Sequence, residues 1–321
     1  FREAVTRLGG EQSNTSVAFG EALILKHFRR LADGVNPELE MTRFLTERTA
    51  FRNTPRLAGA LEYQSPSGSM ATVAVVQEFV RDARDGWRWT LDQLTGLLGL
   101  ARDAAPDDIA LRARAATSLT ALGRLGARTG ELHRALASDP SDPAFAPEPI
   151  DRRDLLSWAA EIGRRIDAAR ALVGGSGSEI PATDLLRPAL ASALAGLDGH
   201  DKIRLHGDYH LGQTLYSAAT HDFVIIDFEG EPLRPLTERR AKQAALRDVA
   251  GLLRSIDYAA VTACRDGGGG APEEAWSRAW SADAARAFLD AYRAAAGTAR
   301  FVPQTDGAFA AASAAFGLEK A

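Results

Sequence analysis

Residues 202–232, KIRLHGDYHLGQTLYSAATHDFVIIDFEGEP, constrain this chain more than any other stretch. The run 202–205 predicts a short apolar strand that stops at His206-Gly207-Asp208, where a glycine lets the backbone turn sharply and present one carboxylate. An amide, Gln213, follows five residues later. Residues 214–217 resume a strand, 218–222 turn over, and 223–226 return as a strand that delivers Asp227. An aspartate at a strand end is commonly only a turn former. A turn, however, explains neither the spaced amide nor the second aspartate after a buried strand. A carboxylate, an amide five residues on and another carboxylate beyond a hairpin form the layout of a phosphotransfer site. Asp208 would orient an acceptor hydroxyl and take its proton, while Gln213 and Asp227 would offer oxygens to magnesium.

These residues resemble the catalytic and metal loops of the aminoglycoside-phosphotransferase-like kinases. Within that group, HGDYHLGQ followed by IDFEGEP is similar to the maltokinases, including those fused behind a trehalose synthase. Relatives of the aminoglycoside type mostly carry Asn where this chain has Gln213, and protein kinases carry D-F-G where it has Asp227-Phe228-Glu229. The resemblance implies an α+β, bilobal, protein-kinase-like fold. Residues 1–80 would form a small β-rich nucleotide-binding lobe, and residues 81–321 a mainly helical lobe with the catalytic and metal loops. It further implies ATP and Mg2+ as cofactors, maltose as the acceptor phosphorylated on its anomeric hydroxyl for α-glucan synthesis, and a trehalose synthase as fused or associated partner.

Residues 4–8, 15–19 and 23–28 read as three antiparallel strands. The first connection, rich in Gly, Ser and Asn, is either an ordinary hairpin loop or a cradle in which Gln12, Ser13 and Asn14 meet phosphate oxygens. Lys26 stands among apolar residues of the third strand. The chain holds four lysines against thirty-four arginines, so a lysine here is a poor surface filler. In the kinase reading it grips the non-transferred phosphates, the alternative being an edge-strand charge that discourages aggregation. Pro37 opens a helix with acids in its first turn, which suits the positive end of the helix dipole. Of these acids, Glu40 rather than Glu38 is expected to pair with Lys26. The buried-type strand 72–76 runs into the expected hinge, where backbone groups of Glu78 and Val80 would meet the adenine edge. Next, Asp85-Gly86-Trp87 resembles the D-G-W segment of maltokinases. Its tryptophans 87 and 89 read as lying on a polar loop, where they pave a sugar site or anchor the loop to the core.

Helical periodicity covers 91–136, interrupted at 105–108, and returns at 154–173, 185–197, 245–260 and 273–296. Pro-rich 139–149 and Gly-rich 174–177 and 267–270 read as connectors. Asp248 is expected to steady the catalytic loop through backbone hydrogen bonds. Tyr209, His210, Glu229 and Glu231 flank the site and are expected near the sugar, with local salt bridges and turn contacts such as Glu231 to Arg234 as the plainer reading. A formal charge of -4 without a dense basic run argues against nucleic acid, and no apolar run approaches membrane-spanning length. The single cysteine, Cys264, fits a reducing cytoplasm. The chain begins inside a strand pattern without a leader and ends within a helical one, as expected of a fragment lacking both ends of a longer protein. Two rivals remain open: a kinase of an aminoglycoside or other small hydroxyl compound, and a non-catalytic kinase-like domain organising a trehalose synthase.

Overall fold

A computed structural model describes residues 4–9, 14–101, 108–173 and 182–320. The first part of the chain forms one antiparallel sheet of β1 (Val5–Arg7), β2 (Thr15–Phe19), β3 (Leu23–His27), β4 (Leu57–Gln64) and β5 (Met70–Glu78). Their spatial order is β1-β2-β3-β5-β4. Sequence periodicity did not show β4, whose residues are largely exposed beyond its start and lack an alternating apolar face. Helix α1 (Pro37–Arg48) packs on β4 and β5. Its start follows from Asn36, whose side chain accepts the Glu38 N–H at 2.8 Å, and from Pro37 with its preset φ. Leu39 of α1, Phe28 and Val75 close a small core between helix and sheet.

The rest is mainly helical. After β6 (Ala83–Asp85) come α2 (Gly86–Ala101) and α3 (Ile109–Leu136), then β7 (Glu148–Pro149), α4 (Arg152–Val173) and α5 (Thr183–Ala195). β8 (Asp201–Lys202), β9 (Thr214–Ser217) and β10 (Asp222–Ile225) lead to the short α6 (Leu236–Arg239) and to α7 (Leu246–Asp266), α8 (Ala271–Ala296) and α9 (Asp306–Lys320). Helices α3 and α8 pack lengthwise, and their buried Leu122, Leu125, Trp280, Phe288 and Tyr292 belong to the larger core. Burying each such side chain contributes about 1.5–3 kcal/mol, which is what a long apolar stripe at helical spacing implies. Among the described residues no helix is long and apolar enough to cross a membrane.

Two local expectations change. The strand expected over 202–205 shrinks to Asp201–Lys202, paired with β7, plus a single bridge from Ile203 to Gln243. The D-G-W segment is no loop: Gly86 begins α2, and Trp89 is buried against Tyr216 and Phe223 of the β9–β10 hairpin. A Cβ at position 86 would lie 2.1 Å from Thr214 Oγ1 and 2.8 Å from the Leu211 carbonyl, so only glycine lets this helix start touch the hairpin. Gln12, Ser13 and the Gly-rich segment 174–177 lie outside the described residues.

Candidate active site

The loop that carries Asp208 is held from beneath. Asp248, in the first turn of α7, accepts the backbone N–H groups of His206 at 2.8 Å and Gly207 at 3.0 Å, and lies 3.2 Å from His133 Nε2. Burial would raise the Asp248 pKa. The His133 hydrogen bond and charge and the loop amides outweigh it and hold the carboxyl below the ordinary value. His206 in turn donates Nε2–H to the carbonyl of Ile226 at 2.8 Å, the residue just before Asp227. Gly207 adopts φ +85°, and a Cβ there would stand 3.3 Å from Gly230 Cα, so the two functional loops meet across a glycine contact.

The β9–β10 hairpin brings Gln213 and Asp227 together. Ile225 pairs with Thr214, Ile226 donates its N–H to the Gln213 carbonyl at 3.0 Å, and the Gln213 side chain hydrogen-bonds the Asp227 carboxylate. Asp227 sits at φ +67°, a left-handed conformation that costs a non-glycine residue energy and recurs at functional sites. Lys26 reaches across from β3 to the carboxylates of Asp227 and Glu229, and Asn14 donates to Glu229. Burial would lower the Lys26 pKa, yet Asp227, Glu38 and Glu229 together raise it well above the usual lysine value. Asp227 is correspondingly held below its usual value: burial opposes this, and the charge and hydrogen bond of Lys26 prevail.

The acid beside Lys26 on α1 is Glu38, which corrects the expectation of Glu40. Glu38 is 1% exposed and accepts from Gln77 Nε2 at 2.8 Å. Burial pushes its carboxyl up to about 7 against the pull of Lys26, with Asp227 and Glu229 adding to the rise. Glu40 turns the other way, to Arg204 at 2.6 Å and to Arg240. At the expected hinge, Glu78 donates its N–H to the Arg56 carbonyl at 3.0 Å, and Val80 two residues on is half-buried.

Asp208 opens on a cleft of about 720 Å³ lined by Asp85, Trp87, His210, Arg254, Tyr258 and Lys320, among others. Trp87 and Tyr258 stack with ring centroids 5.5 Å apart. His210 accepts the Gly212 N–H on Nδ1 at 3.1 Å, and burial lowers its pKa despite nearby Asp208. Of the residues expected near a sugar, His210 and the largely buried Tyr209, whose hydroxyl bonds Thr129 at 3.0 Å, line this cleft, and the two glutamates do not. Glu229 faces Lys26, and Glu231 binds Arg234 at 2.7 Å and Lys320 at 3.0 Å. Sequence reasoning missed Arg254, Tyr258 and Lys320, which α7 and α9 bring in from more than forty residues downstream of Asp208. Lysine scarcity was the one available signal, for Lys320.

A profile described as the phosphotransferase enzyme family matches residues 4–230. A protein named glucosamine kinase from Streptacidiphilus jiangxiensis is 33% identical over 291 residues, covering 88% of this chain and 60% of that protein. One of the same name from Mycolicibacterium smegmatis is 30% identical over 256 residues, 79% of this chain and 59% of that protein. The chain thus spans about three fifths of the length of these curated relatives. The solved structure of a glucosamine kinase in complex with glucosamine, ADP and inorganic phosphate superposes with a TM-score of 0.73 at 27% identity, covering 98% of this chain and 70% of that one. These relatives carry the name glucosamine kinase, not maltokinase. The maltose acceptor and trehalose synthase partner implied by the resemblance find no support among them.

Proposed function

Since this chain belongs to the phosphotransferase enzyme family, we propose that it is the phosphoryl-transfer part of an ATP-dependent sugar kinase whose acceptor is glucosamine. One observation carries the reading: Asp208 and Gln213 on one loop meet Asp227 on another, Lys26 reaches Asp227 from β3, and Asp208 opens on a cleft holding a further carboxylate, Asp85, and a Trp87–Tyr258 stack. Aromatic faces suit the apolar side of a sugar ring, and two carboxylates suit an acceptor that bears an ammonium. The relatives named glucosamine kinase point the same way.

Asp208 accepts the proton of the acceptor hydroxyl as its oxygen bonds to the γ-phosphorus and the bond to the β-phosphate oxygen breaks, leaving ADP. Lys26 holds the non-transferred phosphates from β3, and Glu38 keeps its ammonium inside the site. The Asp227 carboxylate and the Gln213 amide oxygen would hold magnesium, which in kinases takes one or two protein donors. When bound, it neutralises charge on the phosphates. His206 and Asp248 position the two loops relative to each other.

The test is ADP release from Mg-ATP with glucosamine, beside glucose, maltose and an aminoglycoside, with Asp208→Asn as the blank. Glucosamine-dependent release is expected, falling by a factor of roughly 10³ in the variant while ATP binding persists. Release with maltose alone would return the acceptor to the maltokinase type. A folded chain with no magnesium-dependent ATP affinity would sink the enzymatic reading.

A further inference from the structure

A second polar cleft, of about 430 Å³, lies apart from the acceptor cleft and shares no lining residue with it. That volume falls within the range of small-molecule sites, roughly 300–1,000 Å³. Lys202, Arg204, Arg240 and Lys242 line it together with Glu148, Asp154, Ser157, Trp158 and Gln243. Two of the four lysines in a chain that otherwise uses arginine therefore meet here, one from β8 and one from the segment before α7. The other two, Lys26 and Lys320, line the sites already described.

Arg204 is the telling residue. It is 1% exposed, its Nη1 serves Glu40, and its guanidinium lies 5.4 Å from the Phe145 ring centroid. Among the described residues its Nε and Nη2 have no hydrogen-bond partner, and neither does Gln243 Oε1. A buried guanidinium with free N–H groups is costly, and an anion is the group that relieves it best. Within the protein the lysines are served by Glu148, 2.7 Å from Lys242, and by Asp154, 2.8 Å from Lys202. Glu148 is half exposed and can return to water, which frees Lys242 for a dianion, while Lys202 shares its ammonium with Asp154.

We propose that this cleft binds the phosphoryl group of a small phosphate monoester, with Lys202, Lys242, Arg240 and the free N–H groups of Arg204 around the phosphate oxygens, and Ser157, Gln243 and Trp158 beside the esterified body. The site reaches α1. Glu40 is bound by the same Arg204 and Arg240, and it lies two residues along the helix from Glu38, which faces Lys26. An ester that takes Arg240 from Glu40 loosens this tie and weakens nucleotide binding.

Calorimetric titration of the full chain with glucose 6-phosphate, and separately with inorganic phosphate, tests this. Saturating Mg-ADP is kept present so that the nucleotide site is filled. The ester is expected to bind saturably and more tightly than phosphate, and Lys242→Gln to weaken it by roughly tenfold or more, the worth of one charge-assisted hydrogen bond. Mg-ADP affinity in the absence of ester should be unchanged in that variant and should fall in the wild type when ester is added. Hydrogen exchange on the wild-type chain, slowed by the ester at 143–158 and 240–243, keeps the test open should the variant not fold. No saturable ester binding up to roughly 10 mM, binding indifferent to Lys242, or protection confined to the nucleotide loops would overturn the proposal. Equal affinity for both probes would assign the cleft to free phosphate and overturn the ester.

Discussion

Two charge clusters flank residues 227–231, and they are built on opposite terms. Around Lys26 a single ammonium faces three carboxylates, those of Asp227, Glu229 and Glu38. On the other side, Arg165, Arg234, Arg247 and Lys320 enclose Glu161, Glu231, Glu238 and Glu319, four cations against four carboxylates. The second cluster is balanced and fastens α4, α7 and α9 to the segment that follows Asp227. The first leaves negative charge in excess in a buried place, which a fold alone has no reason to keep. A bound divalent cation would balance it. Imbalance, more than density of charge, separates a site from a fastening.

The sharpest way to break that comparison is to remove one acid from each cluster and titrate Mg-ATP. Asp227→Ala is expected to lose at least about a hundredfold in magnesium-dependent affinity, roughly 3 kcal/mol, whereas Glu231→Gln should stay within about threefold. Equal losses would show that both clusters serve the nucleotide.

Stability should move the other way. Glu161→Gln leaves Arg234 and Arg247, at 2.7 and 2.8 Å, without their carboxylate. Breaking a buried pair from one side costs about 3–5 kcal/mol, and partial exposure here reduces that to about 2 kcal/mol. Glu38→Gln removes a buried acid whose Oε2 has no hydrogen-bond partner among the described residues, and is expected to stabilise by about 1 kcal/mol. Urea unfolding of the two variants reads both signs. A destabilised Glu38→Gln would make the Lys26 cluster a fastening as well.

The same contrast explains what the sequence could show. The backbone positions of Lys26, Gln213 and Asp227 were legible because Lys26 lies on β3, Gln213 directly before β9 and Asp227 just past β10, whereas Asp208 lies in a turn beyond any strand, marked by Gly207 and held by Asp248. The choice between Glu38 and Glu40 was not. Two residues on a helix stand roughly 200° apart, so one acid faces the sheet and the other faces away. Which one does so depends on Gln77 on β5, and on Arg204 and Arg240 more than 160 residues downstream. The strand expected over 202–205 failed for a related reason. Arg204 is committed to Glu40 and Ile203 to Gln243, so the segment forms single contacts with several partners in place of a ladder. In D-G-W the glycine held the information, since its lack of a side chain is what admits Thr214. That meaning appears only once the hairpin is in place.

The smallest expected effect is in the pH dependence of stability, and there the two clusters should pull in opposite directions. Glu161 and Glu231 are held at about 2: burial opposes this, but Arg247 and Arg234 for the first, and Arg234 and Lys320 for the second, prevail. Their contribution is present above the ordinary glutamate value of 4.5 and is lost as pH falls from there toward 2. Glu38, raised to about 7 by burial, binds its proton more tightly folded than unfolded. Stability therefore declines as pH rises from 4.5 toward 7, because the folded chain must then surrender a proton that the unfolded chain has already lost. Urea midpoints across this window should fall toward pH 7 in the wild type and fall less in Glu38→Gln. Below pH 4.5 the two chains should run in parallel, since the other cluster is intact in both. Parallel curves on the upper side as well would mean that Lys26 keeps Glu38 ionised throughout, and that the excess charge beside it is borne by Asp227 and Glu229 alone.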